Sequence, residues 1–274
     1  MGAGDVNDFE TISWTVAGGV GHLTLNRPDV YNAFNGQMLD EIQSVWRAAR
    51  TDEDVRAIVL DAAGGKAFCT GIDRNAVLGD AADMQIGAVG GPFHFDDPGE
   101  WLGPKTNDLW KPVIAAVDGM AAGGAFYLLG ECDIIICSDR ATFFDPHVTY
   151  GMAAVFESIH LLQRVPLGEA LRIQLTGAHE RVTAETALRI GFVSEVVPVD
   201  ELEVAAMRLA TIIASQPAQA VQGTLRAVWA AQDLPRTAAL DMAIPLIEAG
   251  NSPDALAAGQ RAFESGERVE PRLR

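Results

Sequence analysis

Apolar and polar positions alternate over residues 11–16 and 20–25, and Ala17-Gly18-Gly19 joins the two runs, a pattern that predicts a β-hairpin. The period then changes. Met38, Leu39, Ile42, Val45, Trp46 and Ala49 fall on one face of a helix over 37–50. An unbroken apolar run at 57–61 reads as a buried strand leading into a glycine-bearing loop, 63–71. Residues 74–110 follow no period; they are rich in Gly, Asp and Pro, with Phe93, Phe95, Trp101 and Trp110 interspersed. Further buried strands are expected at 113–117 and 133–137, with a glycine-rich entry into a helix over 119–130 between them. Strand and helix alternate as far as residue 200, which predicts an α/β layered core. From 201 to 264 nearly every residue is a helix former, with breaks near Pro217, Pro235, Pro245 and Gly250. A boundary is therefore placed near Pro198-Val199-Asp200, dividing the chain into an α/β core (1–200) and a helical C-terminal region (201–274).

Composition changes this picture little, but it removes several classes of function. Hydrophobic residues make up 49% and charged residues 21% of the 274 positions, enough to build a core and incompatible with intrinsic disorder. No apolar run reaches the length of a membrane span, and no basic segment followed by an apolar one opens the chain, so a cytoplasmic protein without membrane partners is expected. Acidic residues outnumber basic ones 37 to 20, for a net charge of −17, which argues against a nucleic-acid backbone as partner. Cys69, Cys132 and Cys137 have no Cys-x-x-Cys spacing; buried thiols are expected in place of a disulfide or a zinc site, and no metal is expected.

Two segments carry candidate chemistry. Gly64-Gly65-Lys66-Ala67-Phe68-Cys69-Thr70-Gly71-Ile72-Asp73 follows one predicted strand, and Ala115-Ala-Val-Asp-Gly-Met-Ala-Ala-Gly-Gly124 begins in another. Glycine lets the main chain approach a ligand, and successive amides at such a turn can face an anion. Neither segment has the spacing of a phosphate loop or a dinucleotide fingerprint. Each taken alone serves equally as a tight turn. Together, in this order and spacing, they resemble the crotonase family, the enoyl-CoA hydratase/isomerase superfamily. Asn26-Arg27-Pro28-Asp29-Val30-Tyr31-Asn32-Ala33 is similar to its early turn that contacts coenzyme A. Cys132-Asp-Ile, Ala141-Thr-Phe-Phe-Asp-Pro146 and Leu175-Thr-Gly177 also fall where the family has similar residues, and 255–263 resembles its last helix.

The resemblance implies an α/β spiral of ββα units with a helical C-terminal region that drives assembly into a homotrimer or a dimer of trimers. It implies an acyl-CoA thioester substrate, with coenzyme A arriving as part of that substrate and no cofactor bound permanently. The thioester oxygen would lie between the amides of Ile72 and Gly124, which stabilise the enolate. Coenzyme A contacts would come from Arg27, Val30, Asn32, Ala33, Lys66, Phe68, Asp73, Arg74 and Phe263.

The chain departs from the family where its hydratases carry two glutamates. Those positions hold Tyr127 and His147. An imidazole can take or give a proton near neutrality, so His147 is either the acid/base group or a structural histidine. Tyr127 either orients a carbonyl or water, or fills the space of the lost carboxylate. Asp145 either fixes the tautomer of His147 or ends a strand. Glu157 either substitutes for an acid that other members carry nearby or is a solvated helix position. His94, Asp96 and Asp97 lie in the segment that covers the acyl group by resemblance, and an exposed loop with scattered acids is expected there. Isomerisation or hydrolytic C–C cleavage is therefore preferred over simple hydration. A catalytically silent acyl-CoA-binding or scaffold protein is the alternative.

Overall fold

A computed structural model of the chain describes residues 9–75, 87–88, 95–266 and 268–273. Its main sheet has six strands in the order β1-β2-β3-β7-β9-β12. β1 (Ile12–Ala17) and β2 (Val20–Leu25) form the expected hairpin, turning through Gly18 and Gly19, whose φ values of 60° and 84° suit glycine. β3 (Ala57–Ala62) then joins in parallel, and three minor strands follow, β4 (Ala67–Cys69) and the paired β5 (Gly87–Ala88) and β6 (Phe95–Asp96). β7 (Val113–Val117), β9 (Ile134–Ser138) and β12 (Glu195–Val197) extend the sheet in parallel. Parallel neighbours require crossovers, which is why helices separate them in the sequence.

Both faces of this sheet's central strands β3, β7 and β9 are buried, and the alternation along them assigns their buried residues to one core or the other. Ile58, Leu60, Val113, Ala115 and Val117 point into the larger core with Trp46, Phe68, Phe126 and Phe143. Ala57, Val59, Ile114, Ala116 and Ile136 point the other way, against helix Leu202–Ala214. That helix presents Ala205, Ala206, Ala210 and Ala214, small residues that allow a close approach to the strands. The boundary expected near residue 200 therefore moves: the first compact unit runs from Met1 to Ala214, because the first C-terminal helix completes the core.

A second sheet, β11-β10-β8-β4, was not evident from the sequence. β8 (Met120–Ala122), β10 (Thr142–Phe144) and β11 (Val182–Thr183) have at most three residues each, too short to show a period, and β8 lies inside the expected helix entry. This sheet matters for function, since β4 and β8 run parallel and deliver the two glycine segments side by side.

The second unit, Ser215–Arg274, contains helices Ala218–Asp233, Arg236–Asp241, Ala243–Gly250 and Pro253–Ser265. Pro217 and Pro235 precede helices, as expected of breaks, whereas Pro245 sits in the first turn of one, where its missing amide costs nothing. All three cysteines are free and buried, and burial pushes their thiols up to about 12.

Candidate active site

The two glycine turns meet. Gly71, at φ 84°, follows β4, and its carbonyl accepts the Phe34 amide while the Phe34 carbonyl accepts that of Asp73. Ile72 is thereby paired with Phe34 in a parallel bridge that leaves its own amide outside the pairing. Gly124 stands at the start of helix Ala125–Glu131. A methyl group on Gly71 would lie 2.8 Å from the Gly124 nitrogen, and one on Gly124 would lie 2.7 Å from the Phe34 ring. Only glycine fits at either position. Among the described residues, no group accepts a hydrogen bond from the amide of Ile72 or of Gly124.

Next to these turns stands a row of titratable groups. Asp145 follows β10 and is fully buried, and Pro146 turns the chain into the short 3-10 helix His147–Tyr150. One Asp145 oxygen accepts both the His147 amide (2.9 Å) and Nδ1 of the His147 ring (2.5 Å); its other oxygen is buried without a partner. Nε2 of the same ring faces Oε1 of Glu157 at 3.6 Å. A methyl on Gly123 would come 3.4 Å from His147 Cε1, so the imidazole lies against the second glycine turn. Asp145 therefore orients the ring, and Glu157, expected either as an acid or as a solvated helix position, is buried. The hydrogen bond to Asp145 raises the His147 pKa against the opposing effect of burial. Burial raises that of Glu157.

Tyr127 lies on helix Ala125–Glu131, three residues beyond Gly124, and is buried between the rings of Phe156 (6.1 Å) and His160 (6.3 Å). Its hydroxyl donates to Asp97 Oδ2 at 3.0 Å. Burial and the nearby Glu157 and Asp97 carboxyls push the phenol pKa upward, so it stays protonated. Asp97 corrects the expectation of an exposed acidic loop: it is buried, its other oxygen accepts the Gly99 amide, and burial raises its pKa. His94 and Phe93 lie outside the described residues, as do the side chains of Phe95 and Asp96. The sequence signal for Asp97 was its place before Pro98-Gly99, where an Asp side chain commonly closes a turn onto its own backbone.

Asp145, His147 and Glu157 also bring potential ligand atoms within 4.8 Å of one another and could hold a metal ion. The ring, however, gives one nitrogen to each carboxylate, an arrangement suited to proton transfer.

Four of the nine expected coenzyme A residues, Arg27, Val30, Asn32 and Ala33, build the early turn. Asn32, at φ 53°, accepts the Arg27 amide and donates to the carbonyls of Ala63 and Ala67, clamping that turn to the first glycine loop. The Arg27 guanidinium bonds the Ala33 carbonyl and Asp73. Phe68 has a fully buried side chain and Ala33 is also buried, so neither side chain is open to solvent. Val30 is half-buried, while Lys66 and Arg74 are exposed, Arg74 stacking on the Tyr150 ring at 4.3 Å. Phe263 belongs to the second unit and is exposed.

Comparison with known proteins gives one consistent result. The family model described as enoyl-CoA hydratase/isomerase matches residues 15–271. The (E)-benzylidenesuccinyl-CoA hydratase of Thauera aromatica is 33% identical over 82% of this chain and 84% of its own. The short-chain-enoyl-CoA hydratase of Clostridium acetobutylicum is 34% identical over 77% and 78%. Among solved structures, an enoyl-CoA hydratase/isomerase from Mycobacterium paratuberculosis superposes with a TM-score of 0.83 at 33% identity, covering 97% of this chain and 99% of that one. An enoyl-CoA hydratase from Bacillus anthracis gives 0.81 at 26% identity, covering 94% and 97%.

Proposed function

The chain belongs to the enoyl-CoA hydratase/isomerase family, and from that premise we propose that it works on an acyl-CoA thioester through an enolate, with His147 moving the proton. The observation that carries this reading is the row Asp145–His147–Glu157 lying against the turn that contains Gly124. The thioester oxygen sits between the amides of Ile72 and Gly124. These two donors are fixed before reaction and directed at the position where charge develops, which lowers the barrier without reorganisation. Helix Ala125–Glu131 adds the positive end of its dipole at the same place.

Hydration in this family uses two carboxylates, and here their places hold a phenol that stays protonated and an imidazole. One titratable acid/base group is suited to moving a proton from the α-carbon to the γ-carbon, with the double bond shifting between them. It is suited equally to hydrolytic C–C cleavage of a β-dicarbonyl. There, hydroxide from a water deprotonated by His147 adds to one carbonyl, the C–C electron pair becomes the enolate, and His147 returns the proton to carbon. Isomerisation or cleavage is accordingly preferred to hydration. Lys66 and Arg74 are exposed and suited to coenzyme A phosphates, Val30 and Ala33 offer main chain, and Phe263 meets the adenine end. The proposed assembly is a cytoplasmic homotrimer or dimer of trimers; among the described residues, no helix is long and apolar enough to cross a membrane.

A panel of acyl-CoA thioesters in heavy water tests the reading, with mass spectrometry following deuterium uptake at the α-carbon. Uptake is expected in the natural protein, with a loss of about 10²- to 10⁴-fold in His147→Ala. Robust hydration of crotonyl-CoA that ignores His147→Ala would defeat it. Bound coenzyme A with no exchange from any thioester would establish the silent binder instead.

A further inference from the structure

Asp97, Tyr127 and Glu157 come from three separate segments of the chain, yet all are more than nine-tenths buried and stand together beside His147. The phenol of Tyr127 donates to Asp97 at 3.0 Å and has Glu157 as a second carboxyl neighbour. Glu157 in turn faces Nε2 of His147 at 3.6 Å. His147, when protonated, favours the ionised form of Glu157; beyond it, the charged groups around the cluster do not neutralise the carboxyls. Asp145 is spent on the far nitrogen of His147, and His160, which faces Asp97 and Tyr127, is held below its ordinary pKa by burial and so stays uncharged. Arg74 stacks on Tyr150 and, within this cluster, acts on His147, whose charge it opposes.

A phenol has one proton to donate. When Tyr127 donates to Asp97, the buried Glu157 beside it is left without that donor and keeps a proton of its own. When the hydroxyl turns to Glu157, Asp97 must hold the proton. Two buried like charges this close are disfavoured in either arrangement, so one proton stays on the pair of carboxyls.

We propose that Asp97, Tyr127 and Glu157 share one proton and keep it available to His147, which makes Asp97 a positioning residue for the acid–base step. This inference rests on the reading of His147 given above. Transfer along the row balances: Asp97 gives its proton to the phenol oxygen as the phenol gives its own to Glu157, and Tyr127 remains neutral. Glu157 can then reprotonate His147 after the imidazole has delivered a proton to the enolate.

Infrared difference spectra of the full-length protein at neutral pH provide the direct test. The natural protein is expected to show the carbonyl band of a protonated carboxylic acid, shifted in heavy water and lost in both Asp97→Asn and Glu157→Gln. Asn keeps one oxygen to accept the Gly99 amide and sets its NH2 against the Tyr127 oxygen, which can accept from it, so the site's shape survives this change. The pH profile of deuterium uptake supplies a second readout. In Asp97→Asn the loss of a like charge lowers the pKa of Glu157, so the alkaline limb should fall about one pH unit earlier than in the natural protein. A purely space-filling Asp97 would leave Asp97→Asn normal and harm only Asp97→Ala. No acid band in the natural protein, or an Asp97→Asn variant with unchanged band and profile, would overturn the shared proton. If His147→Ala exchanges deuterium normally, the functional reading fails instead, and the two failures are distinguishable.

Discussion

A single added methyl group at Gly71 would force apart the two turns that the proposed mechanism brings to one oxygen. It would lie 2.8 Å from the Gly124 nitrogen, and φ 84° strains any other residue. Gly71→Ala is expected to cost about 10²- to 10³-fold in α-carbon exchange, the effect of losing one fixed oxyanion donor, measured against an unchanged circular dichroism spectrum. Asp145 acts at the same scale through charge. Its carboxylate favours the protonated imidazole and so raises the His147 pKa; removing it must lower that pKa. In Asp145→Asn the ascending limb of the exchange profile should therefore shift to lower pH, because the free base appears earlier. The plateau should also fall, because the imidazolium formed on proton abstraction loses its partner. Titration of the His147 ring protons by NMR checks the shift without a substrate. The residues of this row were legible in the sequence as types and positions. The pairing of Asp145 with His147 was legible as one of two alternatives, but their neighbourhood with Asp97 was not, since 48 positions separate Asp145 from Asp97 and only folding places both beside Glu157.

At the scale of elements, period explains what the sequence reveals and what it hides. Helix Gly36–Thr51 repeats its apolar face over four turns, and β7 is a run of five apolar residues; both were legible within a residue or two. β8 has three residues and a glycine on each side, so no period could reveal it, yet it delivers Gly124 to the site. Helix Leu202–Ala214 is the opposite case. Its type was evident, but its attachment was not, because alanines do not show which surface they face. It covers one side of the sheet with Ala206 completely buried. Ala206→Leu is therefore expected to overpack this contact and destabilise the first unit by about 1–3 kcal/mol, read as a lower midpoint in urea. A purely C-terminal role for this helix would leave the midpoint unchanged.

For the whole molecule, the first unit leaves Ile159, Leu171 and Leu175 exposed on neighbouring helices. The proposed trimer supplies a cover for them. Paired changes Leu171→Glu and Leu175→Glu should lower the mass of the assembly measured by sedimentation, whereas a natural protein that already sediments at 29.2 kDa would rule out the trimer. The α/β class and the two glycine turns follow from the sequence, because each is a matter of local period or residue type. The contact between the turns of Gly71 and Gly124, the burial of Glu157 and Asp97 and the enrolment of residues 202–214 in the core are decided only in three dimensions. The physical reason is that backbone preference and amphipathicity act over a few neighbours, whereas proton affinity and the meeting of two amides depend on what long-range packing places beside them and on the water it excludes.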